Sequence, residues 1–140
     1  MIMRAPQYMA EYWNNPLETA DTLREHDGET WLHTGDLAYM DEDGYVFLVD
    51  RKKDLIKTSG FQVWPREIEE VISALPAVLE VGVAGVPGPV KGEIAKAWVV
   101  LKPGASATED DVRAYCRERL APYKVPGRVE FRNELPKTMV

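Results

Sequence analysis

Apolar residues recur every three or four positions in two stretches of the second half of the chain, the spacing of amphipathic helices. The first stretch opens at Pro65, which suits the first position of a helix, and it ends before Pro76. The second stretch follows Thr108 and Asp111, which have the spacing of a capping box. The sequence therefore predicts two helices with these inward faces: Ile68, Val71, Ile72 and Leu75, then Val112, Tyr115, Cys116, Arg119 and Leu120.

Segments rich in β-branched residues alternate with these helices and predict strands at 78–86, 94–102 and 128–132. Alternation along the first strand places Leu79, Val81 and Val83 on one face. The connection 87–93 is rich in glycine, but it lacks the spacing and the terminal Lys-Ser/Thr of a phosphate-binding loop. The order α-β-β-α-β predicts an α+β fold in which a β-hairpin is followed by a three-stranded sheet with packed helices.

Two hairpins are predicted upstream of these elements. The runs Leu37–Met40 and Tyr45–Val49 flank a turn that ends in Asp43-Gly44, a strong hairpin signal. Because Tyr45–Val49 is apolar on both faces, we expect it to be covered on both sides. The second hairpin is predicted from two short β-rich runs and the turn between them: Leu55–Lys57, Thr58–Gly60 and Phe61–Trp64.

The first part of the chain gives weaker signals. Residues 1–13 show no clear period. Asn15 suits a helix N-cap and Pro16 the first helical position, so a helix is predicted over residues 16–26, ending at Asp27-Gly28.

Composition narrows the class of protein. With 140 residues and 45% hydrophobic content, the chain is long enough for one ordinary domain, or for a small domain with a piece of another. The net charge of -6 disfavours general nucleic-acid binding, which needs a basic surface. The single cysteine, Cys116, excludes an internal disulfide, and its neighbours favour a buried apolar role over a reactive thiol. No run approaches the roughly 18–20 apolar residues of a membrane span, so we expect a cytoplasmic protein.

Basic residues nevertheless cluster locally. Lys and Arg donate strongly to phosphate oxygens, so this cluster suits an anionic ligand. Its members are Arg51, Lys52, Lys53 and Lys57. Asp36 adds a carboxylate on the tight turn Thr34-Gly35-Asp36. From residue types alone, the alternative is that the hairpin is purely structural and its cations are solvated. His33 beside the turn is interpreted as a packing or hydrogen-bonding residue.

Several spaced motifs resemble the C-terminal portion of the adenylate-forming (AMP-binding) superfamily, which includes acyl-CoA synthetases, luciferases and peptide-synthetase adenylation domains. The similar segments are Tyr12–Pro16, Trp31–Pro65 and Asn133–Thr138, in that order, so the resemblance extends over essentially the whole chain. Within the superfamily, Asp50–Lys57 followed by Ser59–Gln62 is more similar to fatty-acyl, coumarate-type and luciferase-like members than to amino-acid-activating domains. Long- and medium-chain fatty-acid–CoA ligases are the favoured class.

The resemblance implies an ATP-dependent, AMP-forming acyl-CoA ligase of fatty acid metabolism. A carboxylate attacks the α-phosphate of Mg-ATP to give acyl-adenylate and pyrophosphate, and the CoA thiol then displaces AMP. ATP/AMP, Mg2+ and CoA are thus implied for the intact enzyme, with a carboxylic (fatty) acid as the other substrate. No cofactor is expected for this segment alone, and no metal-ligating residues are predicted in it.

The resemblance also implies roles for individual residues. Asp36 would accept the ribose hydroxyls, Arg51 would contact ribose or phosphate, and Gln62 would face the nucleotide. Lys53 falls at the hinge about which the small domain rotates between the two half-reactions. Lys57 would act in the second half-reaction, and the Ser59-Gly60 turn would pass near the CoA thiol, where glycine lets the pantetheine approach the backbone.

The implied domain organisation has three parts. Residues 1–49 would be the tail of a large N-terminal adenylation domain, residues 50–53 the hinge, and residues 54–140 the small mobile domain. The large domain of the same enzyme is then the partner. Family members continue Pro-Lys-Thr-x-x-Gly-Lys, and their final Lys acts in adenylation. This sequence ends at Val140, about two residues before that Lys, so Lys137 is not its counterpart and the segment alone is expected to be inactive.

The sequence leaves two alternative hypotheses open for the kind of protein to which the chain belongs. The chain is alternatively a free-standing binding or regulatory module with the small-domain fold, docking to a large domain in trans. It is alternatively part of an aryl-acid or amino-acid adenylation domain, in which a carrier-protein thiol replaces CoA.

Overall fold

The computed structural model describes residues 1–88 and 92–137, which form two compact units, Met1–Lys53 and Asp54–Val140. Pro89, Val90 and Lys91, in the middle of the predicted connection, lie outside the described residues, as does Thr138 at the end of the last motif. Each unit is described by itself below.

The first unit contains a short helix and two small antiparallel sheets, one of order β1-β3-β2 and one formed by β4 and β5. Its elements are β1 (Ile2–Met3), α1 (Pro16–Thr22), β2 (Leu23–His26), β3 (Glu29–His33), β4 (Asp36–Met40) and β5 (Val46–Arg51).

Helix α1 begins as the sequence predicts, because the side chain of Asn15 accepts a hydrogen bond from the backbone N–H of Glu18 at 3.2 Å. The predicted end near residue 26 is wrong. The chain leaves the helix after Thr22, and β2 pairs with β3 across the turn Asp27-Gly28. Both turn residues have positive φ, 54° and 78°, which suits a tight hairpin. Strand pairing therefore replaces the last predicted turn of helix.

The hairpin of β4 and β5 forms where it is predicted. Its turn is held by the Asp41 carboxylate, which accepts from the backbone N–H of Tyr45 at 2.8 Å. The expected burial on both faces is not found among the described residues, because the four apolar side chains Val46–Val49 are between 38% and 57% exposed. Much of this strand's apolar surface is therefore open to a partner.

The described residues of the second unit form one five-stranded sheet and two α-helices, with a short 3-10 helix at Pro122–Lys124. Its elements are β6 (Ile56–Thr58), β7 (Phe61–Val63), α2 (Pro65–Ser73), β8 (Val78–Gly88), β9 (Gly92–Leu101), α3 (Glu109–Arg117) and β10 (Arg128–Phe131). Strand β9 pairs antiparallel with β8 and β6 and parallel with β10, and β7 pairs with β6. The predicted α+β fold is confirmed, with the difference that the hairpin β6–β7 belongs to the same sheet as the three later strands.

The core of this unit lies between its helices and the sheet. Ile68 and Ile72 of α2, Val112 and Cys116 of α3, and Val99 of β9 are each fully buried. Burial raises the pKa of the Cys116 thiol, which agrees with an apolar packing role. The helical spacing in the sequence thus marks these four helix residues as core residues. The prediction that Arg119 lies on the inward face is wrong, because α3 ends at Arg117 and Arg119 is exposed.

Strand β8 departs from simple alternation near its start. A bulge shifts the register between Val78 and Glu80, so Val78 is buried at 3% exposure while Leu79 is 54% exposed. The prediction that Leu79 shares a face with Val83 is therefore wrong, because an extra residue in one strand reverses the facing of those before it. The ladder also runs into the predicted connection, where Gly88 pairs with Gly92.

We expect Thr108→Ala to destabilise the second unit by about 1 kcal/mol, because the capping box at α3 is formed. The backbone N–H of Asp111 donates to the Thr108 hydroxyl at 3.2 Å, and the Thr108 N–H donates to the Asp111 carboxylate at 2.8 Å. Urea denaturation measures the change. Ser106→Ala removes a hydroxyl just outside the cap and is the control, with an expected effect within about 0.5 kcal/mol.

The loss of stability in Thr108→Ala should depend on pH. Hydrogen bonds from the Thr108 side chain, and then from its backbone, lower the pKa of Asp111 below its ordinary value of 3.8. A lowered folded-state pKa stabilises the fold above the unfolded value, and this contribution disappears as the pH falls through the folded-state pKa. The difference between the wild type and Thr108→Ala should therefore shrink below pH 3.8. A constant difference down to pH 2 would contradict the capping role.

Candidate functional site

Asp36 and Arg51 lie opposite each other at the open end of the β4–β5 hairpin. The Arg51 Nε is 3.6 Å from the Asp36 Oδ1, and the two side chains are 63% and 26% exposed. A bulge creates this pairing. Ala38 lies opposite Leu48, but Leu37 lies opposite Asp50, so the register skips Val49. In an unbroken register Leu37 would face Val49 and Asp36 would face Asp50, so two carboxylates would stand together.

The turn before Asp36 is fixed by backbone contacts. Gly35 has φ of 77°, which favours glycine, and its carbonyl accepts from the backbone N–H of Lys52 at 2.8 Å. The Thr34 hydroxyl accepts from the Asp36 N–H at 3.1 Å. These bonds hold the Asp36 carboxylate at one position on the hairpin end while leaving its oxygens accessible.

A cleft of ≈ 1180 Å³ in the first unit opens beside this pair. Its polar lining includes Thr34, Asp36, Arg51, Lys52 and Lys53. The carboxylate is an acceptor for hydroxyl groups, and the three cations favour an anion such as phosphate. The lining of the cleft therefore combines hydrogen-bond acceptors with cationic groups.

His33, which also lines this cleft, hydrogen-bonds to and stacks on another histidine, His26. Its Nε2 is 2.8 Å from the Nε2 of His26, and the two rings stack at 5.1 Å between centroids. Partial desolvation, followed by the charge of Arg24, lowers the pKa of His33. One ring must accept the shared proton and is neutral, so the interpretation of His33 as a hydrogen-bonding residue fits the geometry.

In the second unit, the hairpin β6–β7 presents Lys57 and Gln62 as an exposed cross-strand pair. Their neighbours Ile56 and Val63 are buried at 1% and 0% exposure, which anchors the hairpin from its other face. The turn between the strands is Ser59-Gly60, with φ of 50° and 82°. Two positive φ values define a tight turn in which a glycine at the second position avoids backbone strain.

The candidate residues thus form two sets. Asp36 and Arg51 are paired in the first unit, and Lys57 and Gln62 are paired beside the Ser59-Gly60 turn in the second. Lys53 is exposed, in the short 3-10 helix Lys52–Asp54 where the first unit ends.

Two neighbours of the β6–β7 hairpin could not be predicted from the sequence. The Glu93 carboxylate accepts from the backbone N–H of Lys57, and the ring of Tyr123 stacks on Phe61 at 4.3 Å between centroids. Both lie far from the hairpin in sequence, Glu93 in the predicted connection 87–93 and Tyr123 between the second predicted helix and the last predicted strand. A contact between a side chain and a distant backbone leaves no periodic signal by which to find it.

The described residues include neither a membrane-spanning helix nor a cluster of metal-ligating side chains. No helix among them is long and apolar enough to cross a membrane. Nor do they contain a group of three or more His, Cys, Asp or Glu side chains placed to hold a metal ion.

The chain is similar to curated long-chain-fatty-acid–CoA ligases. It is 53% identical to the long-chain-fatty-acid–CoA ligase of Bacillus subtilis, over 100% of this chain and 24% of that protein. It is also 53% identical to the long-chain-fatty-acid–CoA ligase of Yersinia pestis, over 99% of this chain and 24% of that protein. The chain thus spans about a quarter of the length of these relatives.

A solved structure gives the same picture. The crystal structure of ATP-bound MatB from Rhodopseudomonas palustris matches with a TM-score of 0.89 and 39% identity, over 97% of this chain and 26% of MatB. A family profile described as the AMP-binding enzyme C-terminal domain matches residues 67–139. The resemblance inferred from the sequence motifs is confirmed, and this chain belongs to the family of AMP-binding enzyme C-terminal domains.

Proposed function

We propose that the chain is the C-terminal part of an ATP-dependent, AMP-forming acyl-CoA ligase that acts on fatty acids. The observation that carries the proposal is the Asp36–Arg51 pair, a carboxylate 3.6 Å from a guanidinium beside a cleft with further cations. Such a pair suits a nucleotide, because the carboxylate accepts from ribose hydroxyls and the guanidinium donates to phosphate. The relatives named as long-chain-fatty-acid–CoA ligases support the choice of substrate class.

The proposed reaction has two steps. An oxygen of the substrate carboxylate attacks the α-phosphorus of ATP, which binds with Mg2+, and the bond to pyrophosphate breaks to leave acyl-adenylate. The sulfur of CoA then attacks the acyl carbon, the bond to AMP breaks, and the thiol proton passes to solvent or a base. Both steps depend on positioning and on neutralising phosphate charge more than on covalent chemistry by the protein.

The two residue sets serve different steps in this proposal. Asp36 and Arg51 hold the nucleotide. Lys57 and Gln62 face the adenylate during thioester formation, where the Lys57 ammonium stabilises charge on the departing AMP. The Ser59-Gly60 turn lies along the path of the CoA thiol, since a glycine without a side chain admits a ligand close to the backbone.

The proposed organisation follows the boundaries set out above. Residues 1–49 end a large N-terminal domain, which is the partner of this segment and holds the acyl site. Residues 50–53 are the hinge, with Lys53 within it, and residues 54–140 are the mobile domain. We place the intact ligase in the cytoplasm. Exposed apolar side chains on β5, which a large domain would cover, support this organisation.

Asp36→Ala in the intact ligase should weaken ATP binding by about 10- to 100-fold, the range expected when hydrogen bonds to a charged group are lost. Pyrophosphate release measured against ATP concentration, over a panel of carboxylic acids with and without CoA, tests the mutation and the proposed function together. Asp43→Ala is the control, because Asp43 is an exposed carboxylate in the turn of the same hairpin. Absence of acid-dependent pyrophosphate release from the wild type would overturn the function, whereas equal effects of the two variants would overturn the role of Asp36.

A further inference from the structure

The backbone N–H of Lys57 has an acceptor that does not come from a β-ladder. In the hairpin, Thr58 and Phe61 close the two-residue turn, so Lys57 and Gln62 form a non-hydrogen-bonded pair. The Lys57 N–H therefore points away from β7. On that side β6 meets β9 at a single register position, Thr58 with Gly92. The Oε2 of Glu93 accepts from the Lys57 N–H at 2.8 Å.

Two glycines lie beside this contact. A Cβ on Gly92 would lie 3.7 Å from the Lys57 carbonyl oxygen, so the start of β9 approaches β6 closely, and its φ of 76° is one that side chains disfavour. A Cβ on Gly85 of β8 would lie 3.3 Å from the Cδ and 3.4 Å from the Oε1 of Glu93. The space left at Gly85 is thus where the Glu93 carboxylate lies.

We propose that Glu93 is a positioning residue for Lys57: its carboxylate bonds the Lys57 backbone and fixes the segment from which the Lys57 side chain projects. The role assigned to Lys57 rests on the proposed function. A bond from a backbone N–H to a carboxylate is stronger than one between neutral groups, and here it joins residues 36 positions apart. The bond ties the first residues of β9 to the hairpin that carries Lys57, Gln62 and the Ser59-Gly60 turn.

The bond is tested first in this chain, without reference to activity. Glu93→Leu removes the acceptor at similar size, and we expect amide hydrogen exchange at Lys57 to accelerate about tenfold or more, because the N–H loses its partner. Glu93→Gln keeps an acceptor oxygen, so exchange should stay within about threefold of the wild type. In Gly85→Ala the new Cβ would lie 3.3 Å from the Glu93 Cδ and 3.4 Å from the Ile56 Cγ1, so the carboxylate shifts slightly and exchange should accelerate less than in Glu93→Leu. Gly82→Ala is its control, because a Cβ there meets only Leu135, at an ordinary 3.6 Å.

The role is tested in the intact ligase by the transfer of acyl-adenylate to CoA. Glu93→Leu should slow transfer about tenfold, an effect of the size of one charge-assisted hydrogen bond, and Glu93→Gln should restore most of the rate. Acyl-adenylate formation should not change. In a Lys57→Ala background Glu93→Leu should add little, because residues that act through one another are not additive.

Each outcome of these experiments either supports or overturns the positioning role of Glu93. Unchanged exchange at Lys57 in Glu93→Leu would overturn the inference whatever the ligase does. Faster exchange at Lys57 with an unchanged rate of acyl transfer to CoA would overturn the positioning role while leaving the proposed function in place. The same would follow if Glu93→Leu slowed acyl transfer as much in the Lys57→Ala background as in the wild type. A wild type without ligase activity, or a Lys57→Ala variant with normal transfer, would overturn the role of Lys57 and the inference with it, even though the exchange result would still describe the bond.

Discussion

Replacing Lys57 by alanine in the intact ligase should slow thioester formation by about 10²- to 10³-fold, the usual effect of removing one group that stabilises transition-state charge. Formation of acyl-adenylate should stay within about threefold of the wild type, because the proposed role belongs to the second step. Rapid quenching that counts acyl-adenylate and acyl-CoA separately measures both steps. The expected variant therefore accumulates acyl-adenylate.

The structure gives reasons to expect a chemical rather than a folding effect. Lys57 is exposed, while the neighbouring Ile56 and Thr58 are buried and anchor the strand. Removing an exposed side chain normally changes stability by less than about 0.5 kcal/mol. Lys102→Ala is the matched control, since Lys102 is an exposed lysine that donates to the Pro76 carbonyl after the far end of β9. Equal slowing of both half-reactions by Lys57→Ala would contradict the assignment to the second step.

Much of the secondary structure is local enough to be predicted from the sequence. The turns Asp43-Gly44 and Ser59-Gly60 mark hairpins, and the cap at Thr108 marks the start of α3. In each case the residues that define the element are within four positions of one another. Backbone conformation and local hydrogen bonds then decide the structure, so a short window of sequence holds the information.

The features that escaped prediction depend on distant pairing. Residues 23–26 have a plausible helical pattern, yet pairing with β3 turns them into a strand. The bulge that turns Leu79 outward is set by how β8 aligns with β9. The cross-strand position of Arg51 opposite Asp36 likewise depends on the skipped Val49. Register is fixed by long-range packing, and one residue of slip exchanges the two faces of a strand.

The candidate site likewise has features that the sequence predicts and features that it does not. Residue types indicate Asp36 and the basic cluster, and motif resemblance adds Gln62, the Ser59-Gly60 turn and the individual roles, but neither supplies geometry. Alternation alone places Lys57 and Gln62 on one face of a hairpin. The bond from Lys57 to Glu93 was not predictable, because it crosses 36 positions and joins a backbone group to a side chain. Residues that support a site from neighbouring strands are therefore the ones that sequence reasoning finds last.

The other large effect concerns stability: Ile72→Ala should lower the free energy of unfolding of the second unit by about 2–5 kcal/mol. Ile72 is 0% exposed in α2 and packs in the core with Ile68 and Val78. Removing three carbons there loses transfer free energy and leaves a cavity that close-packed neighbours fill only in part. Ile72→Val, which removes one methylene, should cost about 0.5–1.5 kcal/mol.

Leu79→Ala is the control that distinguishes the exposure of Leu79 in the structure from the burial that strand alternation predicts. Alternation predicts Leu79 inside, which would make this variant as damaging as Ile72→Ala, but the bulge leaves the side chain 54% exposed. We therefore expect a loss below about 1 kcal/mol, since roughly half of the side chain already meets water. Urea denaturation followed by the amide signals of Ala97 and Val99, buried in β9, reports the second unit alone. Similar losses in Ile72→Ala and Leu79→Ala would mean that the bulge is absent in solution.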